Sequence, residues 1–489
     1  MHLSALLDFD AVPLDTEDAV SVLLDITAPE RQQDAHRPKA TLQIVLDTSG
    51  SMQGGRLQGA VQALQGLVDR LAPSDDFGLV VFDTRAQVVV PCGPLTDKAA
   101  VRRSIGALQA GGGTDLSSGL LRGIQEARRA GGERGATLLL ISDGHANTGV
   151  TDHGLLRRAA ADAYGHGVTV GTLGYGLGYD EALLGAVAEG GTGSALFAED
   201  PDTAGGLIAQ EAEYLLAKSA QAVSLRVPAG EHVSAVTVVG EMPSHLLPDG
   251  SVMVELGDFH SGEERRLLLR LEVPGLSSLG TVTLTVVEAT YVDPATLTTY
   301  TATMPVSVNV VPGDEAAGRV PRPEVRVEEA LQKAQTAKKQ ASEALRRGDR
   351  DEAARLLEQA GRDLDDVNAS APGDEGTDLP EAVRKAARAA SAQAGELRDM
   401  AHRARGDDIS RIAKMTYASQ SGYSRQRGRY EQSQLPTPPE DHPSPNGPEA
   451  GQSDASRRRG RLSGHDPDRR LSFPDSPGKD GGRGGQERS

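Results

Sequence analysis

Leu42-Gln43-Ile44-Val45-Leu46-Asp47-Thr48-Ser49-Gly50-Ser51 is a short apolar run that ends in a carboxylate followed by hydroxyls. Such a run reads as a strand buried on both faces and feeding a loop. Leu57, Val61, Leu64, Val68 and Leu71 follow it at helical spacing. Residues 77–82 and 87–90 then read as two strands around a polar turn, a hairpin at a sheet edge. Further along come helical patterns at 98–109 and 116–130, an apolar strand at 137–142 and a helix at 152–164. A strand at 168–174, a helix at 180–188, a strand near 194–198 and a helix at 201–218 complete the series. Strands alternate with helices throughout 41–218. This predicts an α/β fold, a doubly wound domain around a mostly parallel sheet.

Outside that segment the pattern changes. Over 219–313 the hydrophobic period drops to two, as in Val282-Thr283-Leu284-Thr285-Val286 and Val306-Ser307-Val308-Asn309-Val310. This predicts an antiparallel β-sandwich module. Residues 1–40 hold one strand candidate, Val20 to Ile26, with no helix beside it. We assign it to the β module, which makes the α/β domain an insertion. Residues 322–368 predict a helical hairpin broken at Gly348-Asp349, similar to a single tetratricopeptide-type unit. A further helix is expected over 379–416. From 417 to 489 the chain carries Pro-Thr-Pro-Pro, Pro-Ser-Pro-Asn-Gly-Pro and Gly-Gly-Arg-Gly-Gly with few apolar residues, and disorder is expected. Within this tail, Arg469-Arg470-Leu471-Ser472 makes Ser472 a candidate phosphorylation site of the basic-directed type.

Composition excludes several classes. A net charge of −18 over 489 residues repels phosphate backbones, so nucleic acid is not the expected partner. The single cysteine, Cys92, builds neither a disulfide framework nor a thiolate metal site. No apolar run reaches the roughly 18 residues of a membrane span. Met1 to Asp10 lacks the basic and long apolar regions of a secretion signal, so a cytoplasmic protein is expected. There is neither a phosphate-binding G-x-x-x-x-G-K-[ST] loop nor a G-x-S-x-G nucleophile elbow.

The chemistry gathers on three loops. Asp47-Thr48-Ser49-Gly50-Ser51 leaves the first strand of the α/β domain. Gly111-Gly112-Gly113-Thr114-Asp115 precedes a helix, and Ser142-Asp143-Gly144 ends the 137–142 strand. Open α/β sheets bind ligands outside the carboxyl ends of their strands, which places all three loops at one edge. Hydroxyls and carboxylates without His or Cys select hard cations, Mg²⁺ first, with Mn²⁺ or Ca²⁺ as alternatives. Two carboxylates among neutral hydroxyls leave the ion with exposed positive charge and bound water. The competing reading, that Asp47, Ser49 and Ser51 merely cap the following helix, does not account for Thr114 and Asp143. Asp115 is read as the cap of the 116–130 helix, Asp83 as a turn residue, and His145 and Asn147 as loop residues on the metal face, with lining of the partner site as the alternative. An aspartyl phosphatase would need a second acid two residues after Asp47, where Ser49 stands, so no catalytic residue is assigned.

Asp47-x-Ser49-x-Ser51, with Thr114 and Asp143 on the next two loops, resembles the metal-ion-dependent adhesion site of a von Willebrand factor type A domain. The resemblance covers residues 40–218. It implies that Ser49, Ser51 and Thr114 coordinate the metal directly and that Asp47 and Asp143 act mostly through water. It further implies that a partner's Asp or Glu carboxylate completes the site. The flanking β module also resembles bacterial intracellular members and the heavy chains of inter-alpha-trypsin inhibitor. The function expected is a Mg²⁺-dependent protein–protein interaction module. The alternative is an accessory subunit of an AAA-type ATPase or chelatase, and a Mg²⁺-dependent hydrolase ranks below both.

Overall fold

The computed structural model describes residues 1–30, 37–240, 242–369 and 381–424. Ser472 and the rest of the expected tail from residue 425 onward lie outside the described residues. The α/β sheet has six strands in the order Ala86–Pro94, Asp76–Phe82, Thr41–Asp47, Ala136–Ser142, Val168–Tyr175, Thr192–Ala198. Ala86–Pro94 pairs antiparallel at the edge, and all other neighbours are parallel. Every residue of Thr41–Asp47, Asp76–Phe82 and Val168–Tyr175 is buried, because helices cover both faces. On one face Ile44, Leu46, Leu79 and Ile141 meet Leu57, Leu64 and Val68 of the Arg56–Arg70 helix and Leu207 and Ile208 of the Pro201–Leu216 helix. On the other, Val45, Val80, Leu138 and Leu140 meet Leu120 and Ile124 of the Leu116–Gly131 helix, with Leu156 and Leu183 from the next two helices. The alternation of Ile44, Val45 and Leu46 between these two cores is the period-two rule of a strand.

The Leu116–Gly131 helix approaches the sheet closely at Gly123, where a Cβ would lie 2.2 Å from Val45 Cγ2 and 3.0 Å from Leu138 Cδ1. Gly123→Ala is therefore expected to destabilise by about 1–3 kcal/mol through overpacking, despite the better helix propensity of alanine. A thermal melt that rises instead would show that the helix has room to shift.

The β module has two sheets around one core. The first runs His2–Leu7, Asp18–Thr27, Glu264–Val273, Ala235–Val239. The second runs Ser244–Leu246, Val252–His260, Lys218–Val227, Gly280–Val292, Thr299–Val311, Ala11–Pro13. Val22, Leu24 and Ile26 point inward with Leu225, Phe259, Leu269, Val287 and Val308. Asp18–Thr27 pairs antiparallel with Glu264–Val273 along its full length, so the chain leaves the β module at Thr27 and re-enters it at Lys218. Leu23 faces the other way and, with Leu268, is covered by Val325 of the Pro323–Arg346 helix. This explains the unbroken Val22-Leu23-Leu24: both faces of the strand are covered.

Three expectations differ from the structure. The described residues of 1–40 hold three strands rather than one, because His2–Leu7 and Ala11–Pro13 are short, half-buried edge strands with little apolar alternation. The helix expected at 379–416 is two, Glu381–Gly406 and Ile409–Ser424, parted at Asp407-Asp408, where the Asp408 carboxylate accepts a hydrogen bond from Arg411 N–H. Order therefore does not end at Tyr417. Residues 417–424 stay helical because Ala418, Ser419, Gln420 and Ser421 are buried.

Candidate metal site

Asp47 is the last residue of its strand, and Asp143 directly follows the neighbouring parallel strand Ala136–Ser142. Thr114 lies two residues before the Leu116–Gly131 helix. All three loops emerge at the carboxyl edge of the sheet. Backbone hydrogen bonds tie them together. Gly111 N–H donates to the Thr48 carbonyl at 2.8 Å, and Gly50 N–H donates to the Gly112 carbonyl at 3.2 Å. Asn147 accepts from Thr114 N–H on its Oδ1 at 2.9 Å, while its own N–H donates to the Thr114 carbonyl at 3.1 Å.

Four of the five residues are joined in one continuous hydrogen-bonded line that presents their side-chain oxygens. Ser49 N–H donates to Asp47 Oδ1 at 2.8 Å, the Ser49 and Ser51 hydroxyls lie 3.0 Å apart, and Ser51 Oγ donates to Asp143 Oδ1 at 2.6 Å. Thr114 joins from above: a Cβ on Gly144 would sit 3.2 Å from Ser51 Oγ and 3.8 Å from Thr114 Oγ1. A side chain at 144 would crowd the Ser51 hydroxyl and touch that of Thr114, so glycine keeps this cradle open. Ser49 precedes a short 3₁₀ turn but makes no side-chain cap, and the next helix is entered through Gly55. These side chains are thus not engaged in helix capping. Asp115, by contrast, caps the Leu116–Gly131 helix by accepting from Ser118 N–H at 3.0 Å. Asp83 accepts from Thr84 and Arg85 within its own turn.

Asp47 and Asp143 are 0 % and 1 % exposed. Burial pushes the Asp47 carboxyl above its ordinary range, and the Asp143 carboxylate pushes the same way against the hydrogen bonds from Ser142 and Ser49. Two buried carboxylates so placed favour a cation between them. The donors are all oxygens, which fits a hard divalent ion. Among the described residues no cluster of three or more His, Cys, Asp or Glu could hold a metal, so a soft-ligand site has no counterpart there.

Ser142 and Arg56 were not assigned a role from sequence, and Asn147 does more than the loop role assigned to it. Ser142 Oγ donates to Asp47 Oδ2 at 2.6 Å and fixes that carboxylate. Asn147 holds the Thr114 loop while itself remaining exposed. Arg56 Nη1 donates to Asp143 Oδ2 at 2.9 Å and to the Ser51 carbonyl at 3.2 Å. The His145 ring lies 3.8 Å from the Asp180 carboxylate. Cys92 is fully buried, and burial pushes its thiol up to about 12, so it is inert as a nucleophile.

This fold and edge site define a class. The chain belongs to the von Willebrand factor type A domain family, whose model matches residues 42–210. It is 30 % identical over 333 residues to the protein sll0103 of Synechocystis sp., the match covering 65 % of this chain and 77 % of that protein. It is also 30 % identical over 141 residues to inter-alpha-trypsin inhibitor heavy chain H1 of Sus scrofa, covering 27 % of this chain but 16 % of the heavy chain. Among solved structures, a von Willebrand factor type A protein from Catenulispora acidiphila superimposes with a TM-score of 0.59 at 18 % identity, covering 75 % of this chain and 87 % of that one. This last likeness is one of fold. Domains of this family commonly mediate protein–protein interaction. No helix among the described residues is long and apolar enough to cross a membrane.

Proposed function

We propose that this chain is a non-enzymatic interaction module that binds Mg²⁺ through Asp47, Ser49, Ser51, Thr114 and Asp143 and uses the ion to hold an Asp or Glu carboxylate of a partner protein. The observation that carries this reading is the line of oxygens from Asp47 to Asp143, with both carboxylates buried and the Thr114 hydroxyl brought to the same glycine-floored cradle. Ser49 and Ser51 would ligate directly, and Asp47 and Asp143 would balance the charge. The ion supplies a Lewis-acidic position for an outside carboxylate. Nothing in the donor set supplies a nucleophile or a general acid, since the hydroxyls face each other and the carboxylates.

The test is a calorimetric Mg²⁺ titration of the full chain. Asp47→Ala is expected to weaken Mg²⁺ binding about a hundredfold or abolish it, since losing even an outer-shell partner of a metal costs about 10–100-fold. A chelator is expected to release partners retained in an affinity purification. An Asp47→Ala titration that overlays the wild type would overturn the assignment.

A further inference from the structure

The five oxygen residues have one charged neighbour of opposite sign. Among the described residues, Arg56 is the cationic side chain hydrogen-bonded to them, through Asp143 Oδ2 and the Ser51 carbonyl. Its placement is specific. Arg56 opens the helix that follows the Asp47–Ser51 loop, and its guanidinium lies over Gly176, where a Cβ would come within 3.1–3.2 Å of Nη2, Cζ and Nε. Gly176 has a φ of +76°, which glycine adopts freely. The loop after the Val168–Tyr175 strand thus makes a flat bed for this side chain. Asp143 is fully buried as a side chain, whereas Arg56 is 39 % exposed. The cation sits at the rim, between the buried carboxylate and solvent.

Charge counting gives this arrangement a consequence. A divalent ion balanced by Asp47 and Asp143 is formally neutral, so the ion's own exposed face is all that draws a further carboxylate. Arg56 adds one positive charge to the same cluster. With the ion bound, the cluster carries a single surplus positive charge, which one incoming carboxylate balances. Without the ion, Arg56 already satisfies Asp143 Oδ2, which lowers the gain from metal entry. Both effects act in the same direction. They weaken metal binding when no anion is present, and an anion that neutralises the guanidinium relieves that weakening.

We propose that Arg56 is a positioning and coupling residue that makes Mg²⁺ and a single partner carboxylate bind cooperatively. This rests on the metal reading above and deepens it. Asp143 Oδ1 stays turned to Ser51 because Oδ2 is held by Arg56, so the guanidinium also orients the carboxylate. The recognised group is a monoanion at the metal rim, and a neutral amide in its place would leave the surplus charge unbalanced.

The experiment uses the full chain, Mg²⁺ alone, and acetate as the carboxylate probe. Mg²⁺ affinity is measured by calorimetry in chloride and in acetate at matched ionic strength and matched free Mg²⁺. The wild type is expected to bind Mg²⁺ more tightly in acetate. Arg56→Gln is expected to bind Mg²⁺ about tenfold more tightly in chloride, the scale of one charge near the ion at a solvated rim, and to keep only a reduced acetate effect, the part due to the ion itself. Arg56→Lys keeps the charge and is expected to keep the acetate effect. A variant that merely disturbs the loop would weaken Mg²⁺ binding in both salts, which is the opposite sign. Arg56→Gln binding no more tightly than wild type in chloride, or responding to acetate as wild type does, would overturn the role of Arg56. Wild-type protein that binds no Mg²⁺, or an Asp47→Ala variant that binds as well, would instead remove the metal reading on which both proposals stand.

Discussion

Arg265→Met is expected to lower the unfolding free energy by about 3–5 kcal/mol, the cost of stranding one member of a buried ion pair. Arg265 is 4 % exposed and Glu263 is 5 % exposed. Arg265 Nε donates to Glu263 Oε1 at 2.8 Å, its two terminal nitrogens donate to the carbonyls of Leu256 and Asp258, and its guanidinium lies 3.8 Å over the Phe259 ring. Glu264–Val273 and Val252–His260 belong to different sheets, so this one side chain fastens the two halves of the sandwich. Methionine would keep the volume and lose every polar contact. The damage would extend to the α/β domain. Asp258, held ionised by Lys218 despite its burial, accepts from Thr169 Oγ1 at 3.0 Å at the foot of the Val168–Tyr175 strand.

The same pair predicts a pH signature. Burial pushes the Glu263 carboxyl up, but Arg265 and His260 outweigh it and hold the group down from 4.5 to about 2. A depressed acid contributes stability that is fully present above the unfolded value and is lost as pH falls through the folded one. A shift of this size corresponds to about 3 kcal/mol, lost between roughly pH 5 and pH 2. In Arg265→Met the carboxyl loses its main counter-charge, so that acid-linked loss shrinks. Urea unfolding across this window is expected to show the gap between variant and wild type closing as pH falls. A gap constant with pH would mean that packing, not the ion pair, explains the effect.

The α/β core and the oxygen line were legible in the sequence for one reason: each signal is local. Ile44, Val45 and Leu46 announce a two-sided strand by their run, and Asp47, Ser49 and Ser51 share one loop. The chain order of Thr114 and Asp143 then sufficed to place them at the same edge. What was not legible depends on contacts between distant segments. Arg56 reads in sequence as an ordinary solvated residue at a helix start, because the carboxylate it pairs with is 87 residues away. Ser142 reads as the end of a strand, and nothing nearby marks it as a donor to Asp47. Asn147 looks like any loop residue until the Thr114 backbone is brought to it. The Ile409–Ser424 helix hides for a different reason. Its buried positions include Lys414, Thr416, Ser419, Gln420 and Ser421, so it lacks the apolar stripe by which a docked helix is recognised.

That helix carries the second large effect. Lys414→Met is expected to cost about 3–5 kcal/mol, again by leaving a buried carboxylate alone. Lys414 is 3 % exposed, and its Nζ donates to Glu181 Oε2 at 2.7 Å and to the Tyr179 carbonyl at 2.8 Å, 4.5 Å from the centre of the Tyr179 ring. Around it Arg411 pairs with Glu199, Ser410 Oγ donates to the Leu177 carbonyl at 3.2 Å, and Tyr417 packs against Gly185. The opposite side of the helix meets Pro323–Arg346, where Ser342 donates to the Ala413 carbonyl and Lys338 to Ser419. One helix thus joins the α/β domain to the helical region. The segment it grips, Leu177 to Glu181, backs onto the candidate site: a Cβ on Gly178 would lie 3.0 Å from the Asp143 carbonyl. Replacing both partners, Glu181→Met with Lys414→Met, is expected to recover most of the loss, because apolar pairs substitute well for buried ion pairs when neither charge is left behind. Chemical denaturation of the two variants and wild type measures this, and hydrogen exchange should show 409–424 losing protection in the single variant and regaining it in the double. A double variant as unstable as the single would mean that the Tyr179 carbonyl, rather than Glu181, is what Lys414 serves.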